Sequence, residues 1–171
     1  MIKKINNLEK KLNIKFKNIF LLERSITHKS YDSNNNYEIL EFLGDRVLNL
    51  VISKKLIDLY PNEKEGVLDK KLASLINKNR CYEIGKFLNL DQFIKIGNKK
   101  NQSTNIEKKV ISDTCEALIG AIYLDNGFYT TEKFILKIWK NLIKESNIVK
   151  IDSKTKLQEY SLKEFKTLPV Y

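Results

Sequence analysis

The feature that most constrains the fold is an apolar stretch from Glu38 to Leu59, which contains no proline and is closed by Pro61. Its length and its density of apolar residues predict one long helix. In the first half of this helix almost every face carries an apolar side chain, so we expect that half to be buried. The rest of the chain is then organised around this helix.

Three acidic residues interrupt that apolar first half. Glu38, Glu41 and Asp45 follow one another at spacings of three and four residues, which places them near one stripe of the helix. An uncompensated charge on a buried helix is strongly destabilising. We therefore expect a cation to neutralise these carboxylates, and oxygen-rich clusters of this kind suit Mg²⁺.

A second apolar helix is predicted over residues 110–125, and it also carries two acids. Asp113 and Glu116 lie three residues apart on one face, while Gly120 and Ala121 are small enough for another helix to approach closely. No paired cation accompanies these acids in the sequence. Spacing alone leaves two interpretations open, a metal site shared between two buried helices and acids that serve as caps or lie on the surface.

The net charge of +10 favours a polyanionic partner, nucleic acid first and an anionic membrane second. The abundance of lysine and asparagine offers a plainer explanation through genome composition. His28 is the sole histidine, so Ser/His and multi-histidine metal chemistry are excluded within the chain, and a hydrogen-bonded structural role is the favoured interpretation. The remaining segments with helical spacing are 2–13, 18–28, 67–76, 80–89 and 130–146.

The two acidic segments resemble motifs of ribonuclease III, the double-stranded-RNA endonuclease, over about residues 8–146. The resemblance rests on Glu38-x-Leu40-Glu41-Phe42-Leu43-Gly44-Asp45-x-Val47-Leu48, on Thr27-His28-x-Ser30-Tyr31 and on Asp113-x-x-Glu116-Ala117-Leu118-Ile119-Gly120-Ala121. It implies an all-α fold of the ribonuclease III type, and it favours the metal-site interpretation of the acids.

The resemblance also implies a set of site residues. Glu41, Asp45, Asp113 and Glu116 would bind Mg²⁺, with Mn²⁺ able to substitute, and Asp45 and Glu116 would be the catalytic pair. Glu38 and Glu65 would be auxiliary residues near the site, and Phe42 would lie in a dimer interface.

The implied activity is Mg²⁺-dependent cleavage of double-stranded RNA to 5′-phosphate and 3′-hydroxyl products with short 3′ overhangs, in rRNA and mRNA processing. We expect a homodimer, with no small-molecule cofactor and no membrane partner. The chain has no signal-peptide core and no apolar run of the roughly 18–20 residues that span a membrane, so we expect a cytoplasmic protein. Two alternatives remain: a catalytically inert relative that binds structured RNA or ribosomal particles, and another helical-bundle metal protein, such as a pyrophosphate-processing enzyme.

The predicted domain organisation is a catalytic domain over 1–147, a linker over 148–153 and a C-terminal fragment over 154–171. That fragment resembles the opening helix of a double-stranded-RNA-binding domain, an α+β fold, and the chain ends where the sheet of such a domain would begin. We expect it to be incomplete, with Thr155 and Gln158 as weak RNA contacts. The basic loop over 98–109 departs from the Gly- and Glu-rich segment usual in the family.

Overall fold

The computed structural model describes residues 2–97, 106–145 and 153–169, without the side chains of 2, 3, 153–156 and 159. The helices are α1 (Ile2–Leu12), α2 (Ile19–Ser25), α3 (Glu38–Leu59), α4 (Glu65–Ile76), α5 (Lys78–Phe87), α6 (Lys108–Ile138), α7 (Lys140–Glu145) and α8 (Ser153–Phe165), with a 3₁₀ turn at Leu90–Gln92. Over these residues the β-structure is an isolated bridge between Thr27 and Lys95. The predicted all-α fold is confirmed.

The long helix predicted from the apolar stretch is α3, and it packs along α6 at the centre of the molecule. The two helices touch through glycines. A Cβ on Gly44 would overlap the carbonyl oxygen of Glu116, and a Cβ on Gly120 would overlap the carbonyl oxygen of Leu40. This backbone-to-backbone contact fixes the acidic turns of α3 and α6 side by side.

Only one side of α3 is buried, so the prediction that its whole first half is buried is wrong. Its buried residues face α6 and the surrounding core: Leu40, Gly44, Val47, Leu48, Val51, Ile52 and Leu56. Ile39, Phe42, Leu50 and Ile57 lie on the other side and are between 57 and 67% exposed. The sequence makes α3 apolar all round, but this chain by itself covers one face and leaves an apolar stripe, Ile39–Phe42–Leu50–Ile57, in contact with solvent.

Helix α5 begins beside the acidic turn of α6 and packs against it. The side chain of Asn77 caps α5 by accepting hydrogen bonds from the backbone N–H groups of Asn79 and Arg80. Trp139 is fully buried and donates its indole N–H to the carbonyl oxygen of Leu75 at 2.9 Å, which ties the end of α6 to α4. The cap at Asn77 and the packing against α6 position the start of α5.

Two predicted segments differ from the structure in their limits. The helices predicted over 110–125 and 130–146 correspond to α6, which is interrupted where Gly127 adopts φ 78°, and to α7. The C-terminal fragment forms α8, which exposes several apolar side chains, and its assignment to an RNA-binding domain stays a prediction. None of the helices in the described ranges is long and apolar enough to cross a membrane.

Candidate active site

A cavity of about 650 Å³ opens where α3, α5 and α6 meet. Its charged lining residues are the acids Glu38, Glu41, Asp45, Glu107, Asp113 and Glu116 and the bases Lys29, Arg46, Lys78 and Lys109. A cavity with acids at its floor and cations around them can hold a metal ion and an anionic substrate together. Most of these acids are predicted as site residues from the sequence. Of the basic residues, Lys78 is predicted only as a surface or phosphate-contacting cation, and the other three are not predicted.

Three of the predicted metal ligands meet on the cavity floor. Glu41 comes from α3 and Asp113 and Glu116 from α6, and each offers a carboxylate oxygen within 4.8 Å of the others. Asp113 and Glu116 are buried, while Glu41 is half-buried. The close crossing at Gly44 and Gly120 places these turns together. Three convergent carboxylates form a hard-oxygen donor set that fits Mg²⁺.

Lys78 compensates the charge of this cluster in part, and the expectation that no paired cation lies beside the acids is wrong. Its Nζ lies 2.7 Å from Asp113 Oδ1, 2.8 Å from Glu116 Oε2 and 3.3 Å from Glu41 Oε1. The lysine comes from the first turn of α5, at least 35 residues away from these acids in the sequence. In the sequence Lys78 lies near Lys70 and Arg80 and looks like one more surface lysine. Only the packing of α5 against α6 shows that it pairs with the acids.

Burial and charge pairing have opposing effects on the pKa values of the groups in this cluster. Burial raises the pKa of Glu116, and its hydrogen bond with Lys78 opposes that rise only in part. The pKa of Glu41 is raised by burial and by the negative charge of Asp113. Burial works to lower the pKa of Lys78, but hydrogen bonds with Asp113 and Glu116 outweigh it and raise that pKa. Three carboxylates thus face a single ammonium group, which compensates their charge only in part.

Asp45 lies one turn along α3 from Glu41 and is not part of the three-carboxylate cluster. Its side chain forms an ion pair with Arg46 and accepts a hydrogen bond from the amide of Asn49 at 3.1 Å. It nevertheless lines the cavity, and its charge contributes to raising the pKa of Glu116. Of the four predicted ligands, the structure thus brings three together and places the fourth beside them.

The two predicted auxiliary acids lie in different places. Glu38 is at the rim of the cavity, where Lys29 pairs with it at 3.0 Å, and its backbone N–H donates to Asn36 Oδ1. Glu65 starts α4 and lines a separate cavity of about 280 Å³ beside Leu56 and Leu68. Within this chain, Glu65 is therefore remote from the carboxylate cluster.

Phe42 lies at the edge of the cavity and is exposed, with the Arg46 guanidinium carbon 4.7 Å from its ring centroid. His28 also lines the cavity, and its Nδ1 lies 2.7 Å from Ser30 Oγ while its ring meets Tyr37 edge-on. These contacts are those of a hydrogen-bonded structural histidine.

The predicted RNA contacts lie on α8. Gln158 is half-buried there and is not among the described residues that line the cavity. The side chain of Thr155 lies outside the described residues, as do residues 98–105 of the basic loop.

Comparison with known proteins places most of the described chain in one family. A family model described as Ribonuclease-III-like matches residues 18–160. Ribonuclease 3 of Pelagibacter ubique (strain HTCC1062) is 59% identical over 164 residues, which cover 96% of this chain and 74% of the relative. Ribonuclease 3 of Wolbachia pipientis wMel is 39% identical over 178 residues, covering 99% of this chain and 77% of the relative.

Solved structures agree with these sequence relatives. A nuclease domain of ribonuclease III from Campylobacter jejuni, described for structural flexibility in a region involved in dimer formation, matches with a TM-score of 0.76 and 37% identity. That match covers 80% of this chain and 96% of the Campylobacter domain. Dicer from Pichia stipitis matches with a TM-score of 0.61 and 25% identity, over 91% of this chain and 72% of Dicer.

Proposed function

The chain belongs to the ribonuclease III family, and from this premise we propose that it is a Mg²⁺-dependent endoribonuclease that cleaves double-stranded RNA in the cavity between α3 and α6. The products would be short duplexes with 5′-phosphate and 3′-hydroxyl ends and short 3′ overhangs. The observation that carries the proposal is the convergence of Glu41, Asp113 and Glu116 within 4.8 Å of one another on the cavity floor.

Glu41, Asp113 and Glu116 would hold the metal, with Asp45 as the neighbouring fourth ligand. When bound, Mg²⁺ supplies activation of the attacking water and stabilisation of the charge that develops on the phosphate. The protein positions the ligands in advance, because Asp113 and Glu116 are buried on a helix whose distance from α3 is fixed by glycine contacts. Hard carboxylate oxygens also accept Mn²⁺, so we expect Mn²⁺ to substitute.

The cations at the cavity rim support an RNA substrate. Lys29, Arg46 and Lys109 line the cavity around its acidic floor, and the chain as a whole carries a net charge of +10. Such cations contact phosphates and position a duplex without reading its sequence. The arrangement therefore suits a substrate recognised by its backbone, with the scissile phosphate drawn toward the carboxylates.

A homodimer would supply a second active site, which would cut the other strand of the RNA duplex. The apolar stripe Ile39–Phe42–Leu50–Ile57 is exposed along α3, as expected for a surface that is covered by a second copy of the chain. A two-fold axis through such an interface relates two active sites in the way that the two strands of a duplex are related. Phe42 lies where this stripe meets the cavity, so it would join the interface to the active site.

The roles of the outlying predicted residues follow from the same proposal. Glu38 would orient the cavity rim through its pair with Lys29. Glu65, remote from the cluster of its own chain, would act near the substrate as an auxiliary acid, and Thr155 and Gln158 would contact the RNA minor groove. The biological role would be rRNA and mRNA processing in the cytoplasm.

The substrate class is tested with three labelled nucleic acids of equal length and sequence: duplex RNA, duplex DNA and single-stranded RNA. We expect Mg²⁺-dependent cleavage of duplex RNA alone, with 5′-phosphates identified by their resistance to phosphorylation until phosphatase is added. EDTA should abolish cleavage. Equal cleavage of the DNA duplex, or products with 5′-hydroxyl ends, would refute the proposal.

A further inference from the structure

We infer that Lys78 is a built-in counter-ion of the active site, which occupies the place of the metal in the metal-free protein and has to leave when the metal enters. This inference rests on the proposed function, because it concerns the same carboxylate cluster. It makes Lys78 a positioning residue that sets the metal affinity of the site.

The number of hydrogen-bond donors on the Lys78 ammonium group equals the number of carboxylates that surround it. An ammonium group has three N–H donors, and Lys78 Nζ faces three carboxylates, those of Glu41, Asp113 and Glu116. The two shortest contacts, 2.7 and 2.8 Å, are those of charge-assisted hydrogen bonds to buried acids. Lys78 therefore stands at the point where the three acids converge.

The ammonium group and a metal ion cannot share that point. Mg²⁺ binds oxygen ligands at about 2.0–2.1 Å, so an ion held by the three carboxylates lies within the space that they enclose. The three oxygens are within 4.8 Å of one another, which leaves room for one cation among them. Two positive charges at such short range would also repel each other strongly. Binding of the metal and of the Lys78 ammonium is therefore mutually exclusive.

Lys78 can leave without disturbing the core. It is the first residue of α5, its side chain is 55% exposed, and it lines the open cavity. The backbone at this point is held by the Asn77 cap, so release needs only rotation of the side chain toward the cavity mouth. In the metal-free state the same lysine compensates the buried acids, so it stabilises the empty site and opposes metal binding at once.

The first test measures Mn²⁺ and Mg²⁺ binding by calorimetry, without RNA, for the parent and for Lys78→Met, which keeps the length of the side chain and removes its charge. We expect the dissociation constant to fall at least about tenfold in Lys78→Met, equivalent to about 1.4 kcal/mol. In EDTA the variant should unfold at a lower temperature than the parent, and metal should raise its unfolding temperature more.

Lys109→Met is the matched control, because Lys109 lines the same cavity while the ion pairs of Glu41, Asp113 and Glu116 are formed with Lys78. We expect its metal affinity to stay within about twofold of the parent, because the charge of an exposed lysine in a solvated cavity is screened. An equal gain in both variants would overturn the inference, since the effect would then come from the general field of the cavity.

A second measurement uses the parent protein alone and does not depend on the folding of a variant. Lysines are acetylated briefly with and without Mg²⁺, and the modification of Lys78 is read by mass spectrometry against that of Lys109. We expect Mg²⁺ to increase the labelling of Lys78 severalfold and to leave Lys109 unchanged. Labelling of Lys78 that stays the same or falls on metal binding would overturn the inference.

Failure of the proposed metal site and failure of the proposed role of Lys78 give different results. If neither the parent nor Lys78→Met binds metal, the proposed metal site is wrong. If the parent binds metal through Glu116, as shown by loss of binding in Glu116→Gln, but Lys78→Met binds no tighter, the proposed function stands and the inference about Lys78 fails.

Discussion

The contact between α3 and α6 gives a quantitative prediction for Gly44→Ala. The new Cβ would lie 2.7 Å from the carbonyl carbon of Glu116 and 2.8 Å from the nitrogen of Gly120, against ordinary contacts of 3.4–4 Å. These neighbours are backbone atoms that cannot rotate away, and the carbonyl oxygen of Glu116 would be closer still, so the two helices have to separate by more than about 0.7 Å to restore van der Waals distances. Overpacking of this kind costs about 3 kcal/mol, at the upper end of the usual range.

This penalty should appear in both stability and activity. For a chain of this size, about 3 kcal/mol lowers the unfolding temperature by roughly 6–12 °C, which circular dichroism measures directly. The separation would also carry Glu41 away from Glu116, and misplacement by about 1 Å can lower a catalytic rate by about a hundredfold. Duplex-RNA cleavage, assayed well below the unfolding temperature, should fall accordingly.

Gly66→Ala is the matched control. A Cβ on Gly66 meets nothing within 4 Å, and the residue lies in the first turn of α4. The same substitution should therefore leave cleavage unchanged and stabilise the protein by up to about 1 kcal/mol. If Gly44→Ala unfolds at the temperature of Gly66→Ala and cleaves RNA normally, the glycine crossing does not position the carboxylates.

Three further predictions concern pH, salt and assembly. The pKa values of Glu116 and Glu41 are raised in the fold, so protons compete with the metal at higher pH than they do for an ordinary carboxyl group. As pH falls, Mg²⁺ affinity measured by calorimetry should therefore weaken before the usual pKa of 4.5 is reached. Affinity that stays constant down to pH 4.5 would contradict this. Raising salt from 50 to 200 mM should weaken duplex-RNA binding at least about tenfold, because phosphate contacts dominate, and a flat salt dependence in a filter-binding titration would contradict that. Leu50→Lys should give a monomer in analytical ultracentrifugation. Phe87→Lys is the control, because Phe87 is 71% exposed against 57% for Leu50, and it should keep the dimer expected of the parent. A dimeric Leu50→Lys would place the interface elsewhere.

The main helices of the fold were predictable because their signals are local. The stretch from Glu38 to Leu59 has no helix breaker before Pro61, so its type and both limits follow from the sequence itself. The spacing of Asp113 and Glu116 likewise fixes them on one face of α6. The sequence around Gly127 does not show whether the segments on its two sides form one helix or two, since a glycine of φ 78° can interrupt a helix without separating it into two distant elements.

The site was only partly predictable because its remaining features depend on packing. Lys78 meets acids at least 35 residues away, and nothing in its own neighbourhood distinguishes it from a surface lysine. The position of Asp45 away from the cluster depends on its local partners, Arg46 and Asn49, which spacing on a helix does not reveal. The apolar pattern of α3 indicates that both sides prefer burial, but it does not say which side this chain leaves exposed.

The most direct test of the central claim is cleavage of a long RNA duplex at low salt with Mg²⁺ by the parent, by Glu116→Gln and by Glu107→Gln. Glu107 lines the same cavity outside the three-carboxylate cluster, so it controls for loss of one negative charge. We expect short duplexes with 5′-phosphates from the parent and from Glu107→Gln. We expect Glu116→Gln to bind RNA as the parent does but to cleave it at least about a hundredfold more slowly, because a neutral amide replaces a proposed carboxylate ligand of the metal. Cleavage by Glu116→Gln at the parent rate, or binding without cleavage by all three proteins, would contradict the assignment of the carboxylate cluster as the catalytic centre.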